Sequence, residues 1–587
     1  MTNSSMKISE IKEKLNNSIL ATIKDLFDVE LKQIDLIYPP SITLGDFAIE
    51  CFSLSKALKL PPAVLAQKLA EHITGDFISS ANAAGPYINI KLKNELLFSA
   101  IAAEIVSEKY GDSSELNNEI TMVEYLSPNT NKPLHLGHVR NGSLGMATAL
   151  ILESAGAKVV KANLVNDRGI HICKSMLAWQ KWGNNETPES TGIKGDHLVG
   201  KYYVKYSIEA EKNPEIEKEA QEVLIKWEMG DPEVIALWEK MNSWVLSGFE
   251  QTFRDYRWDF DKTYYESNTY KLGKKIVEKG VVTGVFQKEE NSSVTATLPA
   301  DEFGKEKDGA LKKATLIRKD GTSVYITQDL ETTRLKFEEN NLSRSIWVVG
   351  SEQDYHFKVL FKILEMLGFE WSQKCFHLSY GMVYLPEGKM KSREGKVVDA
   401  DDLLSEMTEL ATQEIKKRDT ENKIGAREVS MRAKTVADAA IKYYLLQFSP
   451  HQDIHFDPKA SLSFEGNTGP YLQYTYARAI GILEKSESDA FLPDFNLLGN
   501  VEELTLANRL IDFPDQIIAA ARDLNPAKVA SSTYEIAKSF NTFYQKHHVL
   551  NAEDKGLREA RISLVRSTAI AIKKGLHLLN IQVLEKM

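Results

Sequence analysis

A twelve-residue loop, SPNTNKPLHLGH at 127–138, sits between a short apolar run and a long helical pattern, and it constrains the chain more than any other feature. The preceding TMVEYL at 121–126 reads as a buried strand. Over residues 139–155, Leu144, Ala147, Leu150, Ile151 and Ala155 fall on one helical face, and Gly156 is a natural stop just past its end. Residues 159–165 read as a second strand. Strand, glycine-bearing turn, helix and strand make one βαβ unit, whose default connection is right-handed and whose strands are parallel.

With 587 residues the chain is too long for one core, and typical domain sizes predict about three to five units. Residues 1–111 begin with Ile8, Ile11, Leu15, Ile19, Ile23 and Leu26 at helical spacing. A helical stretch at 61–73 and a strand-like GPYINIKL at 85–92 follow, closed by the polar break GDSSELNNE. After the βαβ unit the pattern changes between about 174 and 313, where Trp179, Trp182, Trp227, Trp238, Trp244 and Trp258 punctuate charged helical stretches and SSVTATLP at 292–299 looks like a hairpin. We read this region as an insertion. The α/β pattern resumes at 323–330, 345–350 and 377–385, and from about Asp399 onward the sequence is almost wholly helical. The expected architecture is α/β: a Rossmann-like parallel-sheet domain at 116–400 with its insertion, preceded by an α/β domain at 1–115. A helical connecting segment at 401–455 and an all-α bundle at 456–587 complete it.

Composition narrows the class. The chain is 43% hydrophobic and 26% charged, ordinary for a globular protein in water. No stretch approaches the roughly 18 uninterrupted apolar residues of a membrane helix, and the N-terminal MTNSSMKISEIKEKL lacks the apolar core of a signal peptide, so a cytoplasmic protein with no membrane partner is expected. Cys51, Cys173 and Cys375 lie far apart and form no CxxC pair, so neither zinc nor a disulfide framework is expected. The net charge of −10 argues against a general nucleic-acid binder but leaves room for an enzyme with a local basic surface.

Two motifs carry chemistry. HLGH, His135 to His138, stands at a strand–helix junction, where free backbone N–H groups and the helix dipole favour phosphate. Gly137 lets the backbone come close to a ligand, and two imidazoles on one turn can donate to phosphoryl oxygens as charge develops. The second motif, GKMKSREGK at 388–396, crowds Lys389, Lys391, Arg393 and Lys396 between glycines, which suits cations that close on a triphosphate and release pyrophosphate. Alone, the first reads equally as a chance string and the second as a solvated basic turn. Their βαβ context and their order favour chemistry.

Together they resemble the HIGH and KMSKS signatures of class I aminoacyl-tRNA synthetases. SPNTNKPLHLGH with the downstream SVYITQD, VVGSEQDYHF and GPYLQYTYAR is similar to the arginyl-tRNA synthetase family specifically, over nearly the whole chain. The resemblance implies Lys132, His135, His138 and Lys389 as catalytic residues, and Gly137, His356, Lys391, Ser392 and Arg393 as ATP contacts. Ser392 stands where KMSKS has its second lysine; arginyl enzymes carry a lysine just upstream of HIGH instead, and Lys132 is in the matching place. NDRG at 166–169 differs from the GDWG of the family pattern, which leaves the role of those residues open.

An arginine pocket must offer fork-like acceptors to a planar guanidinium. By the resemblance Glu124 and Asp329 supply them, Tyr325 shares a helix face with Asp329 through its four-residue spacing, and Asn129, Gln353 and, less directly, Ser127 hold the amino acid's α-amino and carboxylate ends. Each of these residues alone has an ordinary reading, as ion pair, core tyrosine or helix start. Tyr471, Tyr474 and Arg478, at helical spacing, can stack on splayed bases, and the family places this helix in the anticodon-binding bundle. The N-terminal domain resembles the extra domain that contacts the outer corner of tRNA. The implied reaction activates L-arginine with Mg2+-bound ATP to arginyl-adenylate and transfers it to tRNA. Activation is expected to need bound tRNA, the enzyme to be a monomer, and no metal to reside in the protein. Two other readings compete: a shorter-type HIGH-superfamily nucleotidyltransferase, disfavoured by the helical tail, and an inactive paralogue serving as an RNA-binding module, disfavoured by the intact histidines and lysines.

Overall fold

Residues 121–126 are all buried, so this strand must be covered on both faces and paired on both edges. The computed structural model describes residues 6–106, 109–270, 273–385, 398–419, 424–486 and 493–587. In it β1 (Ile120–Glu124) is the middle of a five-stranded parallel sheet. With β2 (Lys158–Val165), β3 (Lys262–Tyr265), β4 (Arg344–Gly350) and β5 (Cys375–Tyr380), the strand order is β5-β4-β1-β2-β3. The chain moves outward from β1 to β3 and then crosses to β4, so the order reverses between β1 and β4. In doubly wound sheets ligands bind outside the carboxyl ends of the strands at such a point. The loop at 127–138 leaves β1 there, and the turn Ser351–Gln353 leaves β4 beside it. The Rossmann-like reading of the sequence holds.

Three helices frame this point. α1 (Leu136–Ser154) joins β1 to β2, α2 (Tyr325–Asn340) runs into β4, and α3 (Asp354–Met366) joins β4 to β5. Met122, Ala162 and Trp347 of the sheet pack against Leu330 and Phe337 of α2 and Leu360 and Ile363 of α3. α1 starts three residues before the apolar periodicity does, because His135 caps it. Two buried polar residues of α1 fasten it. Asn141 accepts from Leu126 N at 2.6 Å and donates to Val348 O at 2.7 Å and Tyr380 Oη at 3.2 Å, which pins the ends of β1, β4 and β5 to one side chain. Arg140 donates to the carbonyls of Leu445 and, at 3.0 Å, Pro450, at the C-terminal end of the helix Ala426–Leu446, where partial negative charge collects.

The region expected as a single insertion at about 174–313 is divided. Helices Ile170–Trp182, Gly195–Lys212, Glu215–Met229 and Pro232–Tyr256 come first, and then Lys262–Tyr265 returns to the sheet as β3. The helix Gly273–Val282 and a three-stranded antiparallel sheet follow. SSVTATLP supplies the middle strand of that sheet, Val294–Thr297, rather than a hairpin: it pairs with Gln287–Lys288 on one side and Lys313–Ile317 on the other.

The chain forms two compact units. The parallel sheet belongs to Ser114–Leu462 with Asp523–Ala527, and the other unit joins Met1–Ser113 to Ser463–Arg522 and Lys528–Met587. In the second unit a four-stranded antiparallel sheet and the helix Ile8–Phe27 meet the C-terminal helices. Tyr110 stacks on Phe513 with centroids 5.8 Å apart, and Tyr38 Oη donates to Asp515 at 2.8 Å.

Asn141 generates a prediction. Asn141→Ala leaves the Leu126 N–H and the Val348 carbonyl buried without their partner, and stability should fall by about 2–4 kcal/mol. Urea unfolding followed by circular dichroism measures it; a loss below about 0.5 kcal/mol would show that the staple is dispensable.

Candidate active site

The loop enters from β1 through two left-handed residues, Leu126 at φ 69° and Ser127 at φ 45°, a costly pair for side chains of this kind. The turn is held by neighbours. Ser127 N donates to Asn163 Oδ1 at 3.2 Å, and Asn166 Nδ2 donates to Ser127 O at 3.3 Å. Asn129 and Asn166 then form a parallel bridge beyond the end of the sheet, with Asn129 exposed at its carboxyl edge. This gives the NDRG segment a role. Asn166 braces the loop, and the buried Asp167 accepts from Ser267 N at 2.8 Å and Ser267 Oγ at 2.6 Å. Arg168 lies 3.9 Å from the Tyr270 ring centroid and pairs with Glu228 at 2.9 Å.

At the start of α1 the two histidines are held by backbone groups. Gly137 N donates to His135 Nδ1 at 3.1 Å, and His135 N donates to His138 Nδ1 at 3.1 Å. A backbone N–H only donates, so each Nδ1 is an acceptor and each neutral ring carries its proton on Nε2. Burial, with a smaller contribution from Lys132, lowers the His135 pKa to about 4. Burial, His135 and Lys132 hold His138 well below its ordinary range. Both rings are therefore neutral at pH 7, with ring centroids 4.0 Å apart and an Nε2–H each to offer an anion. At Gly137 a Cβ would stand 2.9 Å from the His135 ring, so glycine is what lets the imidazole fold back over the first turn. Lys132 is half-buried, and its pKa is lowered by that burial.

Across the switch point, α2 and α3 bring together two residues expected in different subsites. His356 Nε2 lies 2.7 Å from Asp329 Oδ2, and both are partly open to solvent. Tyr325, at the first turn of α2, is 74% exposed, and Gln353 is exposed in the turn after β4. Glu124 is placed differently. It is 4% exposed and ion-paired with Lys336, itself 2% exposed, whose ammonium lies 5.4 Å from the Tyr264 ring centroid and 5.7 Å from that of Trp347. The carboxylate expected at the guanidinium thus already has a cationic partner from α2. Lys336 was not singled out in the sequence: two turns beyond Asp329, it looks like one more surface lysine.

Lys389, Lys391, Ser392 and Arg393 lie outside the described residues. In the other unit, Tyr471, Tyr474 and Arg478 converge as their helical spacing implies, around a residue the sequence did not mark. Asn541 accepts from Arg478 and donates to Tyr471 Oη at 2.9 Å, while the Arg478 guanidinium lies 4.7 Å from the Tyr474 ring centroid.

This arrangement has known relatives. Residues 100–457 match the family described as tRNA synthetases class I (R), catalytic domain. An arginine–tRNA ligase of Treponema denticola is 43% identical over 572 residues, covering 95% of each chain, and one of Borrelia hermsii is 41% identical over 99% of this chain and 100% of its own. The chain belongs to the arginyl-tRNA synthetases of class I. Residues 12–92 match the arginyl-tRNA synthetase N-terminal domain and 472–587 the DALR anticodon binding domain. The arginyl-tRNA synthetase structure from Thermus thermophilus superposes with a TM-score of 0.82 at 26% identity, covering 98% of this chain and 100% of that one.

Two predictions arise from this synthetase's site. His135 is neutral in the fold down to about pH 4, whereas in the unfolded chain it takes a proton near its ordinary 6.5. Stability therefore falls as pH drops from about 6.5 to about 4, and is flat in this respect above 6.5. In urea-midpoint titrations His135→Asn should show a shallower fall across that window; an identical slope would contradict a buried neutral ring. The second concerns the buried pair. Lys336→Met strands the Glu124 charge and should cost about 3–5 kcal/mol, while the double variant with Glu124→Gln recovers most of the loss. A thermal double-mutant cycle showing additive losses would deny the pairing.

Proposed function

We propose that this synthetase ligates L-arginine to tRNA with the site divided along the switch point: Lys132, His135 and His138, with Lys389, serve the phosphates, and Asp329, Tyr325, Asn129 and Gln353 serve the amino acid. The observation that carries the reading is the pair of neutral, partly exposed imidazoles at a helix N-terminus, each with Nδ1 occupied and its proton on Nε2, beside a half-buried lysine. Such donors stabilise charge as it moves onto the departing pyrophosphate, and they need no reorganisation to do so.

In the first step an arginine carboxylate oxygen forms a bond to the α-phosphorus of ATP, and the bond from that phosphorus to the β-bridging oxygen breaks. ATP enters with Mg2+ as part of the substrate. In the second step a terminal ribose hydroxyl of tRNA attacks the arginyl carbonyl, and AMP leaves. No covalent enzyme intermediate is required; catalysis is positioning and charge stabilisation. Gly137 and His356, with Lys391, Ser392 and Arg393, complete the ATP side of the reading, and Ser127 the amino-acid side. The guanidinium is assigned chiefly to Asp329, supported by its partial openness and by the Tyr325 ring one turn away. Glu124 contributes less, because Lys336 already neutralises it. Tyr471, Tyr474 and Arg478 are assigned to anticodon bases, a reading supported by the anticodon binding domain match at 472–587, and residues 1–115 to the outer corner of tRNA, a reading supported by family resemblance. We further propose a monomer acting in the cytoplasm without resident zinc, and activation that awaits bound tRNA. Family resemblance supports these readings, and no described helix is long and apolar enough to cross a membrane.

The test is aminoacylation of tRNA with arginine against the other amino acids, followed by the pocket variants. Asp329→Asn should raise the KM for arginine by about 10- to 100-fold, the loss of one charge-assisted hydrogen-bond set, with a much smaller rise for Glu124→Gln. Charging with another amino acid but not arginine, or a KM indifferent to Asp329, would overturn the assignment.

A further inference from the structure

Behind the histidine loop lies a cluster of charged residues that the reaction does not use. The short stretch 398–400 pairs with the loop as an antiparallel bridge: Leu136 N donates to Val398 O at 2.9 Å, Ala400 N donates to Leu134 O at 2.9 Å, and His135 faces Asp399 across it. The backbone that carries His135 is therefore laid against this strip.

The strip is held in turn by two helices of the first inserted region. At the start of Gly195–Lys212, Lys194 Nζ donates to Asp401 Oδ2 at 2.6 Å, Thr252 Oγ1 at 2.6 Å and Asp196 Oδ2 at 3.2 Å. His197 Nε2 lies 3.0 Å from Asp401 Oδ2 and 3.6 Å from Asp399 Oδ2. From the end of Pro232–Tyr256, Thr252 Oγ1 donates to Asp401 Oδ1 at 2.9 Å, and Tyr256 Oη donates to Ala400 O at 2.8 Å. Asp399 caps the helix that follows, accepting from Asp401 N at 2.8 Å. Asp196, His197 and Asp401 bring ligand atoms within 4.8 Å of one another, but the Lys194 ammonium bonds two of the three, so the protein supplies the cation itself. Burial raises the Asp399 pKa to about 6, while hydrogen bonds from His197 and Lys194 outweigh burial at Asp401 and hold it at about 2.

A second contact of the same helix is independent of these charges. Gly200, one turn beyond His197, lies against the middle of the loop: a Cβ there would stand 2.8 Å from Pro133 Cδ and 3.6 Å from Lys132 Cα. One helix therefore touches the backbone beneath Lys132 and, through Asp399 and Asp401, the strip beneath His135.

We propose that the helix Gly195–Lys212 is a positioning strut for the phosphate-handling groups, with Lys194 and His197 fixing the strip that backs the His135 loop and Gly200 fixing the backbone of Lys132. None of the three touches substrate; all are positioning residues. This helix thereby sets the backbone of the ATP-side groups Lys132 and His135, whereas Asp329 and Tyr325 of the arginine side stand on α2. This rests on the assignment of Lys132 and His135 to the phosphates.

The experiment is ATP–pyrophosphate exchange by the full chain with tRNA and arginine present, measured for His197→Ala, His197→Gln and Gly200→Ala at a temperature below every variant's unfolding midpoint. His197→Ala and Gly200→Ala should each reduce kcat/KM for ATP by about 10- to 100-fold with the KM for arginine changed less than twofold. His197→Gln, which keeps a nitrogen donor toward Asp401, should recover most of the loss. Unchanged ATP parameters in both His197→Ala and Gly200→Ala, or an equal shift in the KM for arginine, overturns the strut. Where His197→Ala does not fold, Gly200→Ala decides alone. Lys132→Ala in the same assay separates the two claims: full exchange by that variant defeats the phosphate assignment itself, whereas its loss with an indifferent Gly200→Ala defeats only the strut.

Discussion

Two backbone-to-imidazole hydrogen bonds at the start of α1 set the state of the whole site. Gly137 N and His135 N each occupy an Nδ1, and this decides which nitrogen of each ring carries the proton. Burial then keeps both rings neutral. A pair of imidazolium ions so close together would repel one another and Lys132. A pair of neutral Nε2–H donors instead adds polarity without charge at a helix terminus that already favours anions. The helix start, the glycine and the histidine spacing are thus one device.

The rest of the catalytic unit keeps that device in place. The reversal of strand order between β1 and β4 brings the histidine loop and the Ser351–Gln353 turn to one edge. Asn141 ties three strand ends to α1, and Arg140 ties α1 to the helix Ala426–Leu446. On the amino-acid side the charges are arranged unequally. Asp329 meets the His356 imidazole and is partly open, whereas Glu124 is buried against an ammonium. In the proposed assignment a guanidinium finds the first available and competes with Lys336 for the second.

Much of this was legible in the sequence because it is local. The apolar run of β1, the helical face of α1 and the glycine after it are neighbours in the chain, and so are the histidines and their cap. Tyr325 and Asp329 declare a shared helix face by spacing alone. What the sequence could not show depends on distant residues. Lys336 and Glu124 are separated by more than two hundred positions, and nothing in either neighbourhood marks a buried ion pair. Lys262–Tyr265 is four residues long and sits among tryptophan-rich helices, so its place in the sheet is decided by its pairing with β2 and not by its pattern. Asn541 became visible only when its helix packed against the one bearing Tyr471 and Arg478. The grouping of Met1–Ser113 with the C-terminal helices in one unit likewise has no signal along the chain.

The central claim is that His135 and His138 are neutral and protonated on Nε2 at working pH. Nitrogen-15 NMR of histidine-labelled protein at pH 7, assigned with His135→Asn and His138→Asn, reads this directly. Both rings should show the shift pattern of a neutral imidazole with a proton-free Nδ1 and a protonated Nε2. The pattern of an imidazolium, or a proton on Nδ1 in either ring, would contradict it.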